Sequence, residues 1–182
     1  MEKRGPTVLV LASGRGERFA ASGGGTHKLQ ALLVGKPVLQ HTLEAVAASG
    51  LPWHVEDAGH PGMGDCIAAA VRAAPEASGW LVLPGDLPLV QGVTLRLVAD
   101  ALARHTVVVP MFKGTRGHPV GFSAACRDAL LALNGPSGAA AVVKAQAALN
   151  AVGFVEVPDE GVVTDIDTMD DLLRAEILLA AR

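Results

Sequence analysis

Three cations follow closely on an apolar run near the start of this chain. Val8-Leu9-Val10-Leu11-Ala12 would suit a buried strand, and it breaks directly into Ser13-Gly14-Arg15-Gly16-Glu17-Arg18-Phe19, with Lys28 a short way downstream. Gly14 and Gly16 permit positive φ and close approach of backbone N–H groups to oxygens, while Arg15, Arg18 and Lys28 supply charge that a glycine loop lacks. A polyphosphate is the ligand that such a loop fits. Two better-known glycine loops fail here. A dinucleotide-binding G-x-G-x-x-G needs a small third residue where Phe19 stands, which disfavours a nicotinamide-dependent oxidoreductase. A Walker-type loop needs Lys directly after its second glycine.

A second chemical feature follows the apolar run Trp80-Leu81-Val82-Leu83. Pro84-Gly85-Asp86 turns one carboxylate outward at the carboxyl edge of a strand, where ligands bind in open α/β folds. Magnesium is served by one or two carboxylates plus water and phosphate oxygens, so Asp86 alone is a credible ligand. Near the end of the chain, Asp165 and Asp167 alternate about Ile166, which puts both carboxylates on one side of an extended segment. Thr168 with Asp171 reads as a capping box opening the last helix, and Asp167, directly before that cap, is favoured slightly less than Asp165 as a ligand because it could serve the helix instead.

The elements needed to hold these groups alternate along the chain. Apolar extended runs and Ala/Leu-rich runs of helical spacing follow one another, which predicts a mainly parallel sheet covered by helices. Pro37 is placed as a first-turn proline for a helix running to Gly50, and Leu51 to Glu56 reads as a weaker strand. Asp65 reads as the N-cap of a helix from Cys66 to Ala74. Thr94 to Arg104, Ser123 to Leu133 and Gly138 to Leu149 read as helices; Thr106 to Pro110 and Phe154 to Val157 read as strands. Met111 to Gly117 is a basic loop carrying Lys113 and Arg116, with His118 following.

Composition narrows the function classes. A chain of 182 residues that is 50% hydrophobic suits one compact domain, residues 1–182. A net charge of −3 gives no field for nucleic acid or an anionic membrane, and 3% aromatics leave little for base-stacking platforms. Cys66 and Cys126 are far apart and have no ligand spacing, so neither a zinc site nor a disulfide is indicated, and a reducing cytoplasm is the expected setting. Met1 to Pro6 is charged and too briefly apolar afterwards to read as a signal or membrane segment.

LASGRGERF, HKL at His27 to Leu29, GKPVL at Gly35 to Leu39, PGMGDCIAAAV at Pro61 to Val71, LPGDLPLV at Leu83 to Val90, GHPVGF at Gly117 to Phe122 and TDIDTMDDL at Thr164 to Leu172 occur in the order typical of one family. The chain resembles the MobA-like nucleotidyltransferases of the nucleotide-diphospho-sugar transferase fold, and within them the molybdenum cofactor cytidylyltransferases. The resemblance implies a three-layer α/β/α fold with a mainly parallel, Rossmann-like sheet. Ala48 to Pro52 leads almost directly into the segment before the base loop, so the sheet is expected to be shortened by one strand–helix unit. A bare edge strand is a pairing hazard, and a second subunit is the expected cover.

The same resemblance implies nucleotide contacts from Leu11, Ala12, Ser13, Gly14, Arg15 and Gly16, and base contacts from Gly64, Asp65 and Cys66. Cys66 departs from the usual Ser, and a thiol is a weaker donor. Asp165 or Asp167 would join Asp86 near a magnesium ion. Lys113, Arg116 and His118 would meet the phosphate of a pterin-type acceptor, with a solvated hairpin tip as the alternative for all three. The expected reaction moves CMP from CTP onto a phosphorylated acceptor such as molybdopterin and releases pyrophosphate, with Arg18, Lys28 and Asp86 catalytic. GTP in place of CTP, or a nucleotide-binding protein with a degenerate site, are the alternatives.

Overall fold

The computed structural model describes residues 5–182; Met1 to Arg4, and with them most of the charged start of the chain, lie outside the described residues. Strand β1 (Thr7–Leu11) leads through the glycine loop into a short helix α1 (Glu17–Ala21) and a 3-10 turn at Lys28–Gln30. A small hairpin, β2 (Leu32–Leu33) with β3 (Lys36–Pro37), precedes helix α2 (Val38–Ser49), edge strand β4 (Trp53–Glu56) and helix α3 (Met63–Ala73). Strand β5 (Gly79–Pro84), helix α4 (Gly92–Ala101), strand β6 (Val107–Phe112), β7 (Thr115–Arg116) and β8 (Val120–Ser123) follow. Helices α5 (Arg127–Leu131) and α6 (Ala140–Ala148), strand β9 (Val152–Glu156) and helix α7 (Met169–Ala180) complete the chain.

The main sheet has the order β4-β1-β5-β8-β6-β7, with β9 on β6. β1 pairs in parallel with β4 and β5, and β6 with β9. β8 runs antiparallel between β5 and β6, so only β7 and β8 oppose the common direction. Alternation along β1 sorts its side chains to two cores. Val8 and Val10 join Val46 of α2 and Leu95 and Val98 of α4, whereas Leu9 and Leu11 join Ile67 and Val71 of α3, Leu130 of α5 and Val142 of α6. Strand β5 repeats the division, with Leu81 and Leu83 on one face and Trp80 and Val82 on the other. This is the expected three-layer α/β/α arrangement, and both faces are apolar because helices cover both.

The sheet ends at β4 among the described residues, with α3 returning straight from it to β5, as expected of the shortened edge. Trp53 on that edge is 47% exposed. A third apolar cluster joins Phe19, Leu29, Leu33 and Val38 to Leu89, Ile166 and Leu172. Phe19 is therefore a core residue that pins the glycine loop from beneath.

Several local expectations need correction. Pro37 stands at the N-cap position just before α2, one place earlier than a first-turn proline. Helix α3 starts at Met63 behind a Gly62 cap, so Asp65 lies inside the first turn and is not the cap. Gly14 has no positive φ; Gly16 alone of the two takes the left-handed conformation, at φ 66. Leu51 and Pro52 stay outside β4, where the Pro52 carbonyl accepts from the Val8 amide at 2.8 Å. Ser123 still belongs to β8, and a 3-10 turn at Ala124–Cys126 precedes the short α5. The capping box of Thr168 and Asp171 is present in full.

Candidate active site

The glycine loop is tied down on three sides. The Ala12 amide and the Ser13 hydroxyl both donate to the Glu56 carbonyl, at 2.9 and 3.2 Å. His27 Nε2 lies 2.5 Å from the Gly14 carbonyl while its Nδ1 accepts from the Leu29 amide at 3.3 Å, which assigns the ring proton to Nε2. Sequence reasoning quoted His27 only as part of a motif. Its effect is to dock the loop on the turn that carries Lys28.

Lys28 then reaches across the carboxyl end of the sheet. Its Nζ lies 2.5 Å from Asp86 Oδ2 and 3.0 Å from Asp167 Oδ1, while Arg18 lies 2.8 Å from Asp167 Oδ2. Burial alone would lower the lysine pKa, but the charge and hydrogen bonds of Asp86, reinforced by Asp167, outweigh it and raise the ammonium above its usual range. The backbone around Asp86 is equally fixed. The Gly85 amide donates to Leu11, the Thr42 hydroxyl donates to Gly85, and the Ile166 amide donates to Asp86. A Cβ on Gly85 would press tightly on Leu39 and on the Leu11 carbonyl, so a larger residue there would have to push them back.

The Asp167 carboxylate faces cations and not the helix N-terminus. It holds Lys28 and Arg18, and the helix is served instead by Asp171, which accepts from the Asp167 and Thr168 amides. Asp165 makes none of these ion pairs. Partial desolvation, then the negative charges of Asp167, Asp86 and Asp171, pushes its carboxyl above the ordinary range. Arg15 is exposed and lies 4.0 Å from Glu17.

The donor set fits a divalent cation. Asp86 Oδ1 is buried without a hydrogen-bond partner, and Asp165 and Asp167 crowd the same place with negative charge. Among the described residues no three His, Cys, Asp or Glu side chains are arranged to hold a metal ion by themselves. Few protein ligands and an open coordination sphere suit magnesium or manganese shared with phosphate oxygens.

A cavity of about 290 Å³ opens beside this cluster, lined by Leu11, Ser13, Gly14, Arg15, Lys28 and Asp86 together with His60 to Met63 and Cys66. Gly64 and Asp65 are not among its walls. The Gly64 amide donates to the Gly135 carbonyl and the Asp65 carboxylate accepts from the Gly135 amide, so both hold a distant loop. Cys66 does face the cavity, its Sγ 3.5 Å from Ser13 Oγ, and burial raises its thiol pKa.

A second cavity of about 680 Å³ shares Leu11, Met63 and Pro84 with the first and is largely apolar. Arg116 and His118 both line it. Arg116 stacks over Phe154 at 5.2 Å, and His118 Nδ1 is buried without a partner. Burial lowers the His118 pKa, against an opposing pull from Asp86. Lys113 lies at the tip of the β6–β7 hairpin over Phe112, outside this lining.

Comparison with known proteins gives the family to which this fold belongs. A family model described as the MobA-like NTP transferase domain matches residues 44–151, and the chain belongs to that family. The GlmU bifunctional protein of Xanthomonas axonopodis pv. citri is 30% identical over 146 residues, covering 67% of this chain and 30% of that protein. The chain thus spans about 30% of the length of such relatives. The crystal structure of Rv0371c from Mycobacterium tuberculosis superposes with a TM-score of 0.75 at 27% identity, covering 95% of this chain and 98% of that one. A manganese complex of Rv0371c superposes at 0.68 with 24% identity, covering 93% and 96%. A nucleotidyl transferase from Methanothermobacter shares the fold at 0.79 with 20% identity, covering 98% and 99%. No helix among the described residues is long and apolar enough to cross a membrane.

Proposed function

We propose that residues 1–182 act as a single transferase domain that moves CMP from CTP onto a phosphorylated acceptor, a molybdopterin-type pterin, and releases pyrophosphate. One observation carries the reading: Lys28 bridges Asp86 and Asp167 at the mouth of a cavity whose other wall is the glycine loop. An oxygen of the acceptor phosphomonoester attacks the α-phosphorus. The new P–O bond forms as the bond from that phosphorus to the β-phosphate's bridging oxygen breaks, and pyrophosphate carries away the electron pair. No covalent enzyme intermediate is needed, so catalysis rests on alignment and charge neutralisation.

In this reading Lys28 and Arg18 exchange carboxylate contacts for oxygens of the α-phosphate and the leaving pyrophosphate, and Arg15 with the loop amides of Ser13 to Gly16 holds the β- and γ-phosphates, Leu11 and Ala12 forming the floor beneath them. Asp86, with Asp165 and Asp167, would hold a magnesium ion, which supplies positive charge to phosphate oxygens when bound. The manganese found with the mycobacterial protein is in keeping with such an ion. Arg116 and His118 meet the acceptor in the adjoining apolar cavity. Its shared wall at Leu11 and Pro84 supports a direct approach to the α-phosphorus.

The test is pyrophosphate release from CTP or GTP with magnesium, with and without molybdopterin as acceptor. Acceptor-dependent release from CTP supports the reading. Release from GTP alone changes the base and keeps the reaction class, whereas release from neither overturns both.

A further inference from the structure

The nucleotide cavity is lined by residues of two kinds. Arg15, Lys28 and Asp86 suit the phosphates, whereas the stretch His60, Pro61, Gly62 and Met63, with Cys66, carries no cation and suits the nucleoside. Polar groups there are few. The Gly64 amide and Asp65 carboxylate are taken by Gly135, the Cys66 thiol faces Ser13, and the Ser13 hydroxyl donates to Glu56. Among the described residues, His60 is the strong hydrogen-bonding side chain left in this stretch.

Its ring is held in one sense. His60 Nε2 lies 2.9 Å from Glu56 Oε1, and the other oxygen of Glu56 lies 3.3 Å from His54 Nε2. Burial would raise the Glu56 pKa, but the hydrogen bonds from His60, His54 and the Ala58 amide outweigh it and hold the carboxyl below its ordinary range. An ionised carboxylate only accepts, so His60 Nε2 must carry a proton toward Glu56. In the neutral ring, Nδ1 is then the acceptor that His60 can offer a ligand. Glu56 also fixes the loop through its carbonyl, which receives Ala12 and Ser13, so His60 and the phosphate loop share one anchor.

We infer that His60, oriented by Glu56, determines base choice by accepting a hydrogen bond at Nδ1 from an exocyclic amine, which keeps cytosine and rejects uracil. This rests on the nucleotide-transfer reading of the cavity. Uracil presents a carbonyl where cytosine presents the amine, and two facing acceptors leave both unpaired in a confined site. His60 touches the base; Glu56 is a positioning residue that sets which ring nitrogen carries the proton.

The experiment is equilibrium binding of CTP, UTP and inorganic tripolyphosphate, with magnesium, to the full chain as wild type, His60→Ala and Glu56→Gln. Wild type should bind CTP roughly 10–100-fold more tightly than UTP, the range set by one unpaired polar group. His60→Ala should bring the two nucleotides within about threefold while leaving tripolyphosphate unchanged, as expected for one lost base contact. In Glu56→Gln the amide can donate to Nε2 and drive the proton to Nδ1, so the preference should move toward UTP. An undiminished CTP preference in His60→Ala overturns the inference while tripolyphosphate binding leaves the transfer reading standing. Wild type that binds none of the three overturns the transfer reading, and the inference with it.

Discussion

Lys28 Nζ lies 2.5 Å from Asp86 Oδ2 although 58 residues separate the two in the chain, and both side chains are only 13% exposed. A contact so sheltered does more than join two parts of the surface. It keeps a cation beside the place where phosphate charge must be neutralised in the proposed reaction. In the proposed reaction, Lys28→Ala and Asp86→Asn should each cost about 2–4 kcal/mol of transition-state stabilisation, the usual loss for one preorganised electrostatic contact. Pyrophosphate release, measured well below each variant's unfolding midpoint, separates this loss from unfolding. Full turnover by both variants would sink the mechanism.

How much of this was legible in the sequence depended on the range of the interaction. The capping box of Thr168 and Asp171 could be read because its partners lie three residues apart. The glycine loop and Asp86 could be read because an apolar strand ending in a turn is a local signal. Asp65 misled because Asp before a helical run is a common cap, whereas its carboxylate is claimed by Gly135, 70 residues away. Asp167 was undervalued for the same reason: Asp171 serves the helix and frees it for Lys28. His60 and Glu56 carry no motif at all, and only the return of α3 beside β1 gives them meaning.

The loop at Asn134 to Pro136 is seated on two glycines, and that seating should be sensitive to one methyl group. A Cβ on Gly64 would lie 2.7 Å from the Asn134 carbonyl oxygen, with the Asn134 backbone nitrogen nearly as close. Neither neighbour is the end of a flexible side chain, so the loop must move. Gly64→Ala should destabilise the protein by about 1–3 kcal/mol, the common cost of overpacking. Urea unfolding would show the lost stability, and faster proteolytic cleavage near Asn134 would locate it.

Glu56 should make itself felt at acid pH. Its folded pKa lies below the ordinary glutamate range, so its ionised form is favoured by folding. The stability it contributes is present above about the unfolded value and fades as pH falls through the lower folded value. Glu56→Gln should therefore be less stable than wild type at pH 6–7, with the gap narrowing below about pH 4 as the wild-type carboxyl protonates. Urea midpoints across that range would check it. A gap that stayed constant into strong acid would mean that shape, not charge, is what Glu56 contributes.

Asp165 and Asp167 carry the same group on one short segment, and their opposite electrostatics predict opposite responses. Asp167 is paired with Lys28 and Arg18, so Asp167→Asn removes charge that two cations depend on and should lower stability in metal-free buffer. Asp165 has its carboxyl pKa raised by desolvation and by Asp167, Asp86 and Asp171, so its ionised form is disfavoured by folding. Above its folded pKa that is a cost, and Asp165→Asn should raise stability at neutral pH, by less than about 1 kcal/mol because solvent screens an exposed charge. Adding magnesium or manganese should reverse the order for Asp165, since a divalent cation turns the same crowding of carboxylates into an attraction. Thermal unfolding of both variants with and without metal reads all four terms. A metal-induced gain in wild type that persists undiminished in Asp165→Asn would remove that residue from the cation site and leave Asp86 and Asp167 to hold it.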